Sequence, residues 1–192
     1  MPEHNRRGSP RSGGEKGRGL PLPSVFDRQI LNRKWVRALL WLCVIGIAAM
    51  IFFFSSQSGD ASTETSDKVV RVVVRVVCPK YDTLPGIQQE SVWSRVSFYV
   101  RKSAHFLEYA ALGFFLRWLM ASYSLRPGAL WAWLAGTLYA STDELHQLLS
   151  GARSGMWQDV ALDSAGVLFG GLAALAVAVI ASHAAQHKKA SQ

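Results

Sequence analysis

Eight ionisable residues stand at the edges of three long apolar stretches. Arg101, His105 and Glu108 open one stretch, Asp143, Glu144 and His146 close the next, and Asp159 and Asp163 open the last. An ionisable side chain at the centre of a membrane span costs roughly 2.5 to 3.5 kcal/mol even on lenient insertion scales, so a chain that keeps several must pair them or use them. On a helix, Arg101, His105, Glu108 and Leu112 fall at i, i+4, i+7 and i+11, on one stripe. Tyr139, Asp143 and His146 repeat the arrangement, with Gln147 beside them. Asp159, Asp163, Gly166 and Gly170 keep the same stepping and end in a G-x-x-x-G pair, which lets two backbones approach closely. The acidic stripe is therefore predicted to face other helices and to share one layer with the histidines.

That layer admits several chemistries. Arg101, Lys102 and Arg153 suit an anion, and Gly151 and Gly155 flank Arg153 and Ser154 ahead of a helix N-terminus, a plausible anion cradle. His105 or His146 could serve as acid or base, oriented by Glu108, Asp143 or Glu144. Gln57, Gln147, Ser154, Asp159 and Asp163 complete the candidate ligand-binding set. H-x-x-E and D-E-x-H offer His and carboxylate ligands from two helices, so a metal is a further reading, although neither matches H-E-x-x-H. The plain alternative is that acids and bases simply pair as specificity devices between helices. Neither a nucleophile elbow nor a phosphate loop is present, which weakens catalysis by Ser154.

The elements that must position these residues are four stretches of spanning length: about 35–54, 104–122, 128–149 and 159–182. Twenty helical residues cross a hydrocarbon core of roughly 30 Å. The fold class expected is all-α integral membrane, with four transmembrane helices and an amphipathic helical loop between the first and second. Of the 192 residues, 1–34 form a basic tail, 35–182 the membrane domain and 183–192 a second tail. The first tail holds eight Lys/Arg against three acids and much of the net charge of +8. Its Gly, Pro and Ser content predicts disorder against anionic headgroups, and a single aromatic, Phe26, falls short of the aromatic interleaving that nucleic-acid binding would ask. The first apolar run is too long for a signal peptide and is followed by F-S-S-Q-S-G, not a cleavage site.

Orientation follows the cations. With both termini inside, thirteen of the 21 Lys/Arg lie on the cytoplasmic side, which places every polar cluster at the extracytoplasmic face. Within the long first loop, 62–78 carries Lys68, Arg71 and Arg75 at helical steps among valines and stops at Pro79, predicting an interfacial helix; the valines make a strand the competitor. Residues 88–100 predict a second surface helix running into span two. Cys43 and Cys78 have no metal-ligand spacing and read as structural. Charges confined to one end give no path across the membrane, so a pore is not expected.

F-S-S-Q-S-G after the first span, R-K-S-A-H-F-L-E-Y opening the second, D-E-L-H-Q closing the third and R-S-G-x-x-x-D-V-x-x-D-x-x-G leading into the fourth resemble the VanZ-like family of bacterial membrane proteins, from about residue 40 to 175. The resemblance implies the bacterial cytoplasmic membrane, the cell envelope and an association with teicoplanin and related lipoglycopeptide resistance, and it implies no reaction. Where the family usually shows an amide, in D-V-x-x-N, this chain has Asp163, which makes the site more acidic. The expectation is a multi-pass protein whose outer polar pocket interacts with an envelope lipid or peptidoglycan-precursor head group and affects susceptibility to agents acting there. The runner-up is a membrane-embedded hydrolase or transferase of such a lipid, with or without a metal. Membrane lipids are the expected partners; cofactor and oligomeric state are not legible.

Overall fold

The computed structural model describes residues 31, 33–56, 59–149 and 157–191, with the backbone alone for 59–66 and 188–190. Most of the basic tail, Gln57, Arg153 and Ser154 lie outside the described residues. Within them the chain is helical and has no strand: α1 (Lys34–Ser55), α2 (Gly59–Val77), a 3-10 turn (Tyr81–Thr83), α3 (Gly86–Ser122), α4 (Gly128–Leu149) and α5 (Trp157–Ala190). The helical alternative for the valine-rich segment is thus the one adopted. Val70 and Val74, one turn apart, are its buried pair, while Val72, which a strand would turn to the same face, stands 63% exposed; this is helical and not alternating spacing.

Proline punctuates the elements. Pro79 follows α2, and Pro85 stands at the N-cap of α3 with φ −56°, where its missing N–H costs nothing. From there α3 runs 37 residues without a break, roughly 55 Å. The surface helix expected over 88–100 and the span expected over 104–122 are therefore one rod.

Neighbouring contacts set the directions. Arg37 near the start of α1 donates to the Ser122 carbonyl at the end of α3 (2.8 Å) and its guanidinium lies 4.7 Å over the Tyr123 ring, while Trp41 donates to the Tyr123 hydroxyl (3.1 Å). These contacts satisfy a terminal carbonyl that has no partner within its own helix. At the other end of α1, Ser55 meets α4, so α1 runs against α3 and along α4. α3 and α5 run side by side in the same direction, and glycine makes that possible: a Cβ on Gly113 or Gly170 would overlap the backbone of Val167 or Ala110, and one on Gly166 would stand 2.6 Å from the Phe106 carbonyl. Gly136 of α4 accepts the Val167 side chain against its bare backbone. Between the helices lies an apolar core of Ile51, Tyr109, Leu112, Leu119, Ala140 and Val167.

The outer surface is apolar as well. Leu42, Phe53, Leu138, Leu168 and Ile180 are all exposed, a distribution suited to lipid and not to water. Two helices, Lys34–Ser55 and Trp157–His187, are long and apolar enough to cross a membrane. α3 and α4, which hold the other two expected spans, fall short of the same measure; Arg117, Asp143 and Glu144 interrupt their apolar runs.

Close packing at the glycine seam yields a sharp contrast. Gly170→Ala, which forces a methyl into the Ala110 backbone, is expected to destabilise the bundle by about 1–3 kcal/mol, whereas Gly171→Ala, with nothing within 4 Å, gains helix propensity and is neutral or stabilising. Thermal unfolding midpoints of the two variants in detergent check this.

Candidate functional site

Three helices converge on the Asp143 carboxylate. Asp143 lies near the end of α4 and is 4% exposed. Its Oδ2 accepts from the Ser55 hydroxyl at the last turn of α1 (2.9 Å), from the Tyr109 hydroxyl of α3 (3.3 Å) and from Nε2 of Gln147 one turn along α4 (3.2 Å). The Gln147 amide also donates to the Ser55 hydroxyl, closing a ring of polar groups inside the bundle. A carboxylate without such donors would be too costly to bury. Its other oxygen, Oδ1, is fully buried and has no hydrogen-bond partner among the described residues. One oxygen is thus held by the protein, and the other is left with acceptor capacity.

A second tier surrounds this centre. Lys102 of α3 forms an ion pair with Asp159 at the first turn of α5, where an acid also suits the helix dipole, and Lys102 lies 5.5 Å from the Phe98 ring. His105 and Glu108, one turn apart on α3, approach to 4.0 Å between Nδ1 and Oε2, both partly buried. Glu144 and Asp163 are buried, at 7% and 5% exposure. Ser164, next to Asp163, shares a 2.8 Å hydrogen bond with Thr137 of α4. His146 is half-buried, its ring 4.8 Å from that of Phe52 at a tilt of 34°. Arg101 is exposed.

The candidates of the sequence therefore separate by role. Asp143 and Gln147 form the buried centre; Lys102, Asp159, His105 and Glu108 form two pairs on α3 and between α3 and α5; His146 packs on an aromatic face of α1. Two central groups stood outside the candidate set. Following the first span, Ser55 reads from the sequence as a helix cap or, less favoured, as a residue lining the same mouth; its neighbour Ser56 takes the local bond, to the Phe52 carbonyl at 2.6 Å, and Ser55 is aimed inward. Tyr109 falls in step with Leu112 and Leu116, so its apolar periodicity hides its hydroxyl. The signal that could have found it is its position one helical turn past His105. Among the described residues, no three His, Cys, Asp or Glu side chains are grouped so as to hold a metal ion.

Chemically, the centre offers a buried acceptor, two hydroxyls and an amide at the meeting of α1, α3 and α4, with one cation–carboxylate pair nearby. Such a set can hold a hydroxyl- or amine-bearing head group, or keep a hydroxyl paired with a base. Residues 40–179 match the family model described as VanZ/LLP1, while no curated protein and no solved structure matches.

Removal of a donor from a buried carboxylate has a defined cost. Ser55→Ala is expected to destabilise the protein by about 1.5–3 kcal/mol, and Ser56→Ala, whose hydroxyl is exposed, by less than about 0.5 kcal/mol. Unfolding of both variants under identical detergent conditions tests whether Asp143 depends on its donors.

Proposed function

Because the chain belongs to the VanZ-like (VanZ/LLP1) family, we propose that it is a multi-pass protein of the bacterial cytoplasmic membrane with both termini inside. In this reading α3 and α4 join α1 and α5 as spans, their charges turned to the interior, and the Asp143 end of the bundle faces the extracytoplasmic side. There it binds the polar head of an envelope lipid or peptidoglycan precursor and so alters susceptibility to lipoglycopeptides. The observation that carries the reading is the half-used Asp143 carboxylate, a desolvated acceptor at the end of the bundle with Oδ1 unclaimed by the described residues. A buried polar atom of that kind is expensive unless something completes it. The Lys102–Asp159 pair beside it supplies a cation for a phosphate once the pair opens.

One contact favours the second reading, a hydrolase or transferase of such a lipid: the Ser55 hydroxyl already points at a carboxylate 2.9 Å away, as a hydroxyl nucleophile beside a base would. The two readings part on turnover.

A peptidoglycan-precursor lipid, titrated into the purified full chain, serves as the probe. Asp143→Ala is expected to weaken its binding at least about tenfold, the equivalent of one hydrogen bond to a charged group, and to return host cells to the susceptibility of cells lacking the protein. Binding unchanged in this variant, with the fold intact, overturns the assignment of the site. Release of a product from the probe, abolished by Ser55→Ala with binding retained, would establish the enzyme instead.

A further inference from the structure

α2 has two unlike faces that the Asp143 site does not use. Val70 and Val74 are buried, 0% and 1% exposed, where α2 packs on α3, and this contact sets the roll of the helix. With the roll set, Val69, Val72 and Val76 form a ridge at i, i+3 and i+7 that stands 52%, 63% and 75% exposed. Lys68, Arg71 and Arg75 follow the same spacing along the adjoining edge, and all three are exposed. A valine ridge bordered on one side by three cations has too few polar groups to rest in water and too much charge to enter hydrocarbon. It matches the boundary between acyl chains and anionic headgroups, where each basic side chain contributes to binding.

We propose that α2 is a binding surface for anionic phospholipid: Val69, Val72 and Val76 enter the acyl layer beside the bundle, and Lys68, Arg71 and Arg75 hold the phosphates of phosphatidylglycerol-type headgroups around α3. The charge complementarity selects this occupant over a second copy of the chain, whose α2 would bring the same three cations to the same edge. α2 lies between the end of α1 and the start of α3, so the lipids it collects border the end of the bundle that holds Asp143. The surface stands independently of what that site binds.

The test uses the full chain with Cys43→Ala and Cys78→Ala, reconstituted in vesicles, and a bimane fluorophore on Val72→Cys or, in a second variant, Val76→Cys. Brominated phosphatidylglycerol and brominated phosphatidylcholine compete as quenchers, and their ratio gives the preference at that position. The expected preference for phosphatidylglycerol is about fivefold or more, since one basic group near the surface is worth about that factor. The triple variant Lys68→Gln, Arg71→Gln, Arg75→Gln, which leaves Val70 and Val74 in place, should bring the preference to about one while the unfolding midpoint holds. Equal quenching by both lipids in the unaltered helix overturns the proposal. So does quenching by aqueous iodide with none by lipid, which would place the ridge in water. A label shielded from lipid and iodide alike also overturns it, since the ridge would then lie against protein.

Discussion

The Asp143 carboxylate constrains everything around it. Placed in a low-dielectric interior, it must be supplied with donors, and the chain supplies them from three separate helices: Ser55 from α1, Tyr109 from α3 and Gln147 from α4 itself. Apolar packing alone is tolerant of rotation and sliding. Directed bonds to one oxygen are not. The hub therefore specifies how α1, α3 and α4 meet, while the glycine seam of Gly113, Gly166 and Gly170 specifies how α5 lies along α3.

These two devices divide the labour. The seam gains its strength from close backbone approach and from the absence of side chains, which is the way helices associate where water provides no hydrophobic drive. The hub gains its specificity from polar groups that would be intolerable unpaired. Together they allow ionisable residues to be carried inside a bundle that exposes large apolar side chains such as Leu42, Phe53, Leu138 and Ile180.

Much of this was legible in the sequence, for physical reasons. The all-helical class followed from long apolar runs, and the end of α2 from Pro79. Gly166 and Gly170 announced a face turned to another helix, because their spacing has little use toward lipid. Asp143 and Gln147 were visible as polar residues one turn apart at the end of an apolar stretch. Ser55 and Tyr109 were not, since a serine after an apolar run resembles a cap and a tyrosine in leucine register resembles core. Their importance depends on what faces them across the bundle, which no local pattern records. The same limit separates the histidines: spacing puts His105 on the Glu108 stripe and His146 on the Asp143 stripe, but rotamers and Phe52 decide that His146 stacks on a ring.

The clasp at the opposite end of α1 changes what the hub can permit. Arg37 and Trp41 are fastened to Ser122 and Tyr123, and Ser55, five turns away, is fastened to Asp143. A slide of α1 by one turn, about 5.4 Å, would break both sets of bonds together, so the helix is indexed like a key with teeth at each end. Any opening around Asp143 must then come from bending or tilting of α3 and α4, with α1 as the stationary wall.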